Sequence, residues 1–189
     1  MNINVKKRNG RLVDFDVEKI NRSAERACEN LENVSASEIV LDAKIKLYDK
    51  VKTSEIDKSL ISSASSKIEK DPNYNYVAAR LLLNTIYKEV FGESVYSESF
   101  ELQYHKSFIV NLKKLVKEGI LDKKLTEEFD LKKLSEAIDT NRDLKWKYLG
   151  IQTIYDRYLL HIEGRRMESP QGFFMRVAMG LALAEKENK

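Results

Sequence analysis

A tight turn between two short segments of alternating polarity constrains the amino-terminal fold more than any other feature of the sequence. Ile3 and Val5 alternate with polar residues before Asn9-Gly10, and Val13 and Phe15 alternate with polar residues after it. An Asn-Gly pair suits a type I′ turn, which requires positive φ at both central residues. The pattern therefore predicts a β-hairpin at the start of the chain.

Four helices are predicted to follow the hairpin. Asp16 stands where an N-cap residue belongs, Ser35 and Glu38 form a capping box, and Thr53 is the expected cap of the third helix. Asp71-Pro72 begins the fourth, since proline is tolerated at the first helical position. Apolar residues recur at helical spacing in the four segments: Ile20, Ala24, Ala27, Cys28 and Leu31; Ile39, Val40, Ala43 and Leu47; Ile56, Leu60, Ala64 and Ile68; Tyr74, Ala78, Leu81, Leu82 and Ile86. Residues 1–92 are thus predicted to form an α+β unit, a small β-hairpin sheet over a four-helix bundle.

Residues 93–189 are predicted to form a second, all-helical segment after a weak linker at 92–94. Its last helix follows Ser169-Pro170, an N-cap with proline at the first helical position, and runs from Phe173 to Leu183 with Arg176 as its one charge. A helix that is apolar on almost every side needs more cover than residues 93–168 supply. We therefore expect a predominantly helical chain that is truncated.

Charge and composition argue against several classes of function. The 33 lysines and arginines against 30 aspartates and glutamates leave a formal charge of +3, which is too even for a protein that binds nucleic acid along a basic face. The single cysteine, Cys28, is predicted to be a buried hydrophobe, and the widely separated His105 and His161 predict no metal site. No apolar run approaches the roughly 20 residues of a membrane span and no signal peptide is evident, so we expect a cytoplasmic protein.

Four basic side chains surround the predicted turn: Lys6, Lys7, Arg8 and Arg11. A predicted helix begins shortly afterwards at Val17, and a helix amino terminus favours anions through its unpaired N–H groups and its dipole. Lysine supplies a point charge and arginine a bidentate fork, a combination that suits a triphosphate. The alternative is that these charges are solvated and protect the hairpin edge from aggregation. The sequence has no Walker A loop and no Gly-x-Gly-x-x-Gly fingerprint, so we expect binding of a nucleotide without hydrolysis.

Five short motifs occur in order within residues 3–92: KRNGR at 7–11, FD at 15–16, KI at 19–20, VKTSEID at 51–57 and YVAARL at 76–81. Together they resemble the ATP-cone, the regulatory module at the amino terminus of many ribonucleotide reductase large subunits. Three further stretches, at 148–160, 168–171 and 175–180, look like the part of a class I large (alpha) subunit that leads into its catalytic barrel. The resemblance covers nearly the whole chain and implies truncation before that barrel.

This resemblance implies that ATP or dATP binds as an allosteric effector, with Mg²⁺ accompanying the nucleotide. Carried over by position, the family's nucleotide contacts fall on Lys7, Arg8, Val13, Asp14, Phe15, Asp16, Val17, Glu18, Lys19, Thr53, Asp57 and Lys88. Three of these side chains are expected to neutralise phosphates: Lys7, Arg8 and Lys88. Lys19 is expected to close on the phosphate side.

The remaining positions are expected to contact the base and the ribose. The backbone of residues 13–15 and the Phe15 ring would frame the base. Asp57 follows Thr53 by one helical turn on the same face and could accept a hydrogen bond from a ribose hydroxyl. The alternatives are that Thr53 is only a helix cap and that Asp57 is only a favourable acid near a helix start.

The resemblance also implies what the chain lacks. The family reduces the ribose 2′-hydroxyl with three active-site cysteines, and this sequence has one. We therefore expect no catalytic residue and no turnover from this chain by itself, although the parent oxidoreductase supplies deoxyribonucleotides for DNA synthesis. The implied partners are the remainder of the large subunit and the radical-generating small subunit. Two alternatives remain open, a stand-alone nucleotide-sensing regulator and a helical interaction module without a ligand.

Overall fold

The computed structural model of the chain describes residues 4–8, 10–45, 48–92 and 100–185, with the backbone alone for residues 44 and 45. Ile3 and Asn9 of the predicted hairpin lie outside the described residues. Two compact units are present, Met1–Thr85 with Trp146–Gln152 and Ile86–Lys145 with Thr153–Lys189. Helices predominate and a small mixed sheet accompanies them, which confirms the predicted α+β class. The predicted domains, 1–92 and 93–189, stay a prediction.

A three-stranded sheet in the order β2-β1-β3 forms one layer of the first unit. Its strands are β1 (Asn4–Lys6), β2 (Leu12–Asp14) and β3 (Val51–Lys52). β1 lies in the centre, antiparallel to β2 and parallel to β3, so that Val5 stands between Val13 and Val51. Val5 and Val51 are buried. β3 was not predicted, because a strand of two residues is too short for an alternating pattern to be visible.

The predicted hairpin is confirmed by its register. The predicted type I′ turn centred on Asn9-Gly10 is wrong, because the hydrogen bond from Gly10 to Lys7 makes Gly10 the last residue of the four-residue turn. The Lys7 N–H donates to the Arg11 carbonyl over 2.8 Å, and the Gly10 N–H donates to the Lys7 carbonyl over 2.9 Å. Gly10 has a φ of +83°, a backbone conformation that glycine adopts without steric cost.

Four helices form the other layer of the first unit: α1 (Val17–Cys28), α2 (Ala36–Ile45), α3 (Thr53–Ser65) and the first part of α4 (Tyr74–Phe91), which continues into the second unit. The expected caps of the first two are present, since Asp16 accepts from the Glu18 N–H over 3.0 Å and Ser35 accepts from the Glu38 N–H over 3.2 Å. Most of the apolar residues that predicted these helices are buried: Ile20, Ala24, Ala27, Ile39, Val40, Ala43, Ile56, Leu60, Ala64, Tyr74, Ala78, Leu81, Leu82 and Ile86. Three of them, Cys28, Leu31 and Ile68, are only half-buried, and Leu47 lies outside the described residues. Periodicity therefore located most of the core, and it failed near the ends of the helices.

The second unit is helical apart from one short hairpin. Its elements are the end of α4, α5 (Phe100–Lys117), α6 (Lys124–Glu127), α7 (Leu131–Glu136), a 3₁₀ helix (Thr140–Lys145), the second half of α8 (Tyr148–Arg157), β4 (His161–Ile162), β5 (Arg165–Arg166) and α9 (Pro170–Ala182). The first half of α8 belongs to the first unit. The β4–β5 hairpin corrects the prediction of an all-helical segment. Glu163 and Gly164 between its strands both have positive φ, as a type I′ turn requires, but a Glu-Gly pair is a weak sequence signal for that turn.

Helix α9 is covered on only one side in the structure. Met179 is buried with Tyr104, Phe108 and Leu112 of α5. On the other side three apolar side chains at helical spacing remain exposed, Phe174 by 45%, Val177 by 37% and Leu181 by 74%. This exposure agrees with the expectation that the helix needs more cover than residues 93–168 supply.

A buried carboxylate organises the polar part of the second unit's core. Asp143, in the 3₁₀ helix, is 0% exposed and accepts hydrogen bonds from the hydroxyls of Tyr87 and Tyr104, each over 2.7 Å, and from the Gln171 amide over 2.9 Å. Burial raises the pKa of Asp143, and its three hydrogen bonds offset part of that rise. One side chain thus links α4, α5, the 3₁₀ helix and α9.

Replacing Asp143 by alanine is expected to destabilise the chain by about 3 kcal/mol or more, because three buried donors lose their acceptor at once. Urea unfolding of the 189-residue chain measures the change in the free energy of unfolding. The control is Glu118→Ala, which removes an exposed acid of the same unit and is expected to cost within about 0.5 kcal/mol. Equal effects of the two substitutions would contradict the structural role of Asp143.

The pH dependence of stability should carry the signature of the same group. Since the folded state raises the pKa of Asp143, it holds the proton more tightly than the unfolded chain does. The contribution of this group is therefore full below the unfolded pKa, about 3.9, and declines as the pH rises through the folded pKa. Asp143→Asn should flatten the decrease of unfolding free energy from about pH 4 upward. An unchanged pH profile would contradict the shift.

Candidate functional site

The basic turn lies at the edge of the sheet where β1 and β3 both end. The two strands are parallel and pair Lys6 with Lys52. The residues that follow them, Lys7 and Thr53, therefore leave the sheet side by side. Because α3 begins at Thr53, this pairing places Lys7 and Arg8 next to the amino terminus of α3. The sequence predicts the basic residues beside the start of α1. The strand pairing places them beside the start of α3.

A side-chain contact ties the turn to α3. The Arg8 Nη2 atom lies 3.3 Å from the Asp57 Oδ2 atom, and it donates a hydrogen bond to that oxygen. Asp57 lies in the second turn of α3 with 11% of its side chain exposed, whereas 30% of the Arg8 side chain is exposed. The two predicted site residues are thus in direct, partly buried contact.

Helix α3 begins without a side-chain cap from its N-cap residue. That residue is Lys52, which is extended at φ −73° and ψ 139° and makes no capping hydrogen bond, and Thr53 is the first residue of the helix. The expectation that Thr53 is the cap was therefore wrong by one residue, because the pairing of Lys52 with Lys6 extends the strand up to the helix. The first N–H groups of α3 carry partial positive charge and adjoin Lys7 and Arg8.

Residues 13–19 connect β2 with α1. The antiparallel register sets Asp14 opposite Asn4, so the chain leaves β2 at the end of the hairpin away from the turn. Asp16 then caps α1, and the Lys19 Nζ atom lies 3.5 Å from the carboxylate of Asp16. Four of the predicted site residues here are half-buried, Val13, Phe15, Asp16 and Val17, and three are exposed, Asp14, Glu18 and Lys19.

The structure therefore brings together some of the predicted site residues and separates others. Lys7, Arg8, Thr53 and Asp57 share one edge of the first unit. Lys88 lies in the last turn of α4, in the part of that helix that belongs to the second unit.

Comparisons with known proteins match two parts of the chain to known families. The model of the ATP cone domain family matches residues 3–89, and that of the ribonucleotide reductase all-alpha domain family matches residues 144–189. Two similar relatives are named ribonucleoside-diphosphate reductase subunit alpha, and a third is named ribonucleoside-diphosphate reductase 1 subunit alpha. They come from Chlamydia trachomatis (43% identity over 86% of this chain), Helicobacter pylori (41% over 98%) and Escherichia coli (32% over 94%). Residues 3–89 thus carry an ATP cone domain, and the chain is similar over most of its length to ribonucleoside-diphosphate reductase alpha subunits. It spans 16% of the Chlamydia relative and 23% of each of the other two.

No three histidine, cysteine, aspartate or glutamate side chains within residues 4–8, 10–45, 48–92 and 100–185 are placed so that they could hold a metal ion. In the same part of the chain, none of the helices combines the length and the apolar character that crossing a bilayer requires.

Arg80 of the cone has a structural role that the sequence did not reveal. Its Nη1 atom donates to the carbonyl oxygens of Ala27 over 3.2 Å and of Glu29 over 2.6 Å, at the carboxyl-terminal end of α1. The last carbonyls of a helix have no partner within it, so this arginine on α4 stabilises the end of α1. The one available signal was a charged residue within the apolar motif at 76–81.

Cys28 of the cone is half-buried beside the same helix end. Burial raises the pKa of its thiol to about 11, although the nearby Arg80 charge opposes the rise. Because the thiolate is the nucleophile, this environment suppresses reactivity. The sequence predicts a buried hydrophobe at this position; the side chain is only half-buried, but its raised pKa agrees with the expectation that it is not a reactive thiol.

We expect Cys28 to react with a disulfide reagent at pH 8 on the order of a hundredfold more slowly in the folded chain than in the chain unfolded in urea. The reason is the small thiolate fraction at a pKa of about 11, against the usual value of about 8.5 for an unfolded chain. Stopped-flow absorbance of the released chromophore measures both rates. Similar rates in the two states would contradict the pKa shift.

Proposed function

We propose that the first unit binds ATP or dATP as an allosteric effector, with the phosphates at the sheet edge where β1 and β3 end. The observation that supports this best is the Arg8–Asp57 contact, which holds the basic turn beside the amino terminus of α3. Two cationic side chains and a helix amino terminus then adjoin one position. That combination of charges and N–H donors is suited to phosphate.

The proposed contacts divide according to the parts of a nucleotide. Lys7 and Arg8 neutralise the phosphates, and Thr53 offers a hydroxyl and the first N–H of α3 to the same groups. Residues 13–19 serve the base and ribose end, where the half-buried Phe15 offers an apolar ring. Lys19 and Lys88 are proposed to add positive charge. Mg²⁺ is proposed to accompany the nucleotide, held mainly by phosphate oxygens and water, as this ion is in many nucleotide sites.

At the level of the whole protein, we propose that this chain is the regulatory amino-terminal part of a ribonucleoside-diphosphate reductase large subunit. Such an enzyme supplies deoxyribonucleotides for DNA synthesis in the cytoplasm. Its proposed partners are the remaining large-subunit sequence and a radical-generating small subunit. The support is that the relatives named as alpha subunits match both halves of the chain. Because an all-alpha reductase match follows the cone in the same chain, we do not favour a stand-alone regulator.

The double substitution Lys7→Ala and Arg8→Ala is expected to weaken ATP binding at least about a hundredfold. Charge-assisted hydrogen bonds to a phosphate contribute roughly 1.5–3 kcal/mol each, and the variant removes the donors of at least two. Isothermal titration calorimetry with ATP and Mg²⁺ measures the dissociation constant. Thermal unfolding with increasing ATP gives a second measure, since a ligand of the folded state raises stability by RT ln(1 + [L]/Kd).

The matched control is Lys132→Ala with Lys133→Ala, a pair of adjacent exposed lysines on α7 of the second unit. It removes the same net charge and should leave the ATP affinity within about twofold, since exposed charges at a distance are screened by salt. If the two double variants bind ATP equally well, the nucleotide is not at the basic turn.

A further inference from the structure

The guanidinium of Arg8 has an anionic partner inside the protein at the position proposed for the nucleotide phosphates. Its Nη2 atom contacts the Asp57 carboxylate at 3.3 Å, and that carboxylate is 11% exposed on the second turn of α3. A carboxylate and a phosphate recognise the same face of a guanidinium, because both present paired oxygens to its fork of N–H donors. One arginine can satisfy both anions fully only if they are held in compatible positions.

Asp57 also carries a negative charge close to where a triphosphate would bring several more. Like charges at short distance repel each other, and a partly buried pair is screened less by water and salt than an exposed one. A carboxylate in this position is therefore an unexpected choice for a site whose ligand is an anion, unless it sets how tightly the ligand binds.

We propose that Asp57 competes with the nucleotide phosphates for Arg8 and so limits the affinity of the site for triphosphates. This inference rests on the proposed function of the same site. Nucleotide binding requires Arg8 to exchange its contact with Asp57 for a contact with phosphate, and the contact given up is subtracted from the binding free energy. Asp57 thereby becomes a residue that tunes effector affinity. Its effect has the opposite sign to the ribose contact expected from the family resemblance.

The negative charge of Asp57 and the exchange of its contact with Arg8 together predict different changes in affinity for different nucleotides. Removing the carboxylate should favour ATP most and AMP least, because the competition requires phosphate groups that reach Arg8. The gain should also depend on Arg8, because without the guanidinium there is no contact to exchange. A carboxylate that accepts from ribose would instead help ATP, ADP and AMP about equally, and its removal would weaken all three.

The test is calorimetric titration of ATP, ADP and AMP, each with Mg²⁺, into the 189-residue wild type, Asp57→Asn, Arg8→Ala and the double variant. Asp57→Asn is expected to bind ATP about five- to tenfold more tightly, the range that loss of one partly buried ion pair supports. The gain should be smaller for ADP and within about twofold for AMP. In the Arg8→Ala background the gain for ATP should fall to the smaller part that like-charge repulsion alone contributes. Asp57→Ser, which removes the same charge with a smaller side chain, provides a second variant should the asparagine not fold.

Glu69→Gln is the matched control, because Glu69 is an exposed acid of the same unit that follows the other end of α3. It removes one negative charge without touching the turn and should leave ATP affinity within about twofold. Weaker or unchanged ATP binding by Asp57→Asn, beside a wild type that binds ATP, would overturn the competition and leave the proposed function standing. An equal gain in the Arg8→Ala background would also overturn it. If neither the wild type nor the Asp57 variants bind ATP, the proposed function falls and this inference with it.

Discussion

The parallel pairing of β1 with β3 is the contact on which the first unit depends. It joins Lys6 to Lys52, two residues that are far apart in the sequence, and it buries Val5 between a neighbour on each side. The same pairing determines which helix begins beside the basic turn. Without it the turn would belong to an edge hairpin whose charges are solvated. That is the alternative, without a ligand, that the sequence leaves open. With it, Arg8 reaches Asp57 and the turn adjoins a helix start whose N-cap residue, Lys52, makes no side-chain capping hydrogen bond.

A site that concentrates positive charge for an anion must also tolerate that charge as part of a folded protein. Asp57 provides a partner for Arg8 within the protein, which reduces the repulsion among the basic side chains of the turn. In the proposed competition for Arg8, such a partner stabilises the fold and weakens the binding of the ligand at the same time. Stability and effector affinity are therefore connected through one carboxylate, and a change at position 57 is expected to move them in opposite directions.

The second unit buries the carboxyl group of Asp143 among neutral hydrogen-bond donors. Asp143 is surrounded by two tyrosine hydroxyls and a glutamine amide, and these neutral donors satisfy its oxygens. The donors come from three different helices, so the carboxylate fixes their relative positions more specifically than apolar contacts would. On the outer side of the same unit, Phe174, Val177 and Leu181 of α9 keep an apolar face exposed. The unit thus combines a specific polar core with an incompletely covered surface.

The local sequence determined the elements whose signals are short-range. The turn at Gly10, the caps of α1 and α2, and the buried faces of α1 to α4 follow from φ preferences, capping chemistry and 3.6-residue periodicity, all of which act within a few residues. The family motifs also named Arg8 and Asp57 as site residues. What the sequence did not contain was their contact with each other.

Only the tertiary structure decided the features that depend on distant partners. β3 exists because Val51-Lys52 has β1 to pair with, and the helix start moved from the expected cap position to Thr53 for the same reason. Arg80 caps a helix more than fifty residues away in the chain. The sequence around Asp143 does not indicate that donors from distant helices surround its side chain. Pairing across such separations is paid for by burial and hydrogen bonding of the complete fold, so no short stretch of sequence records it.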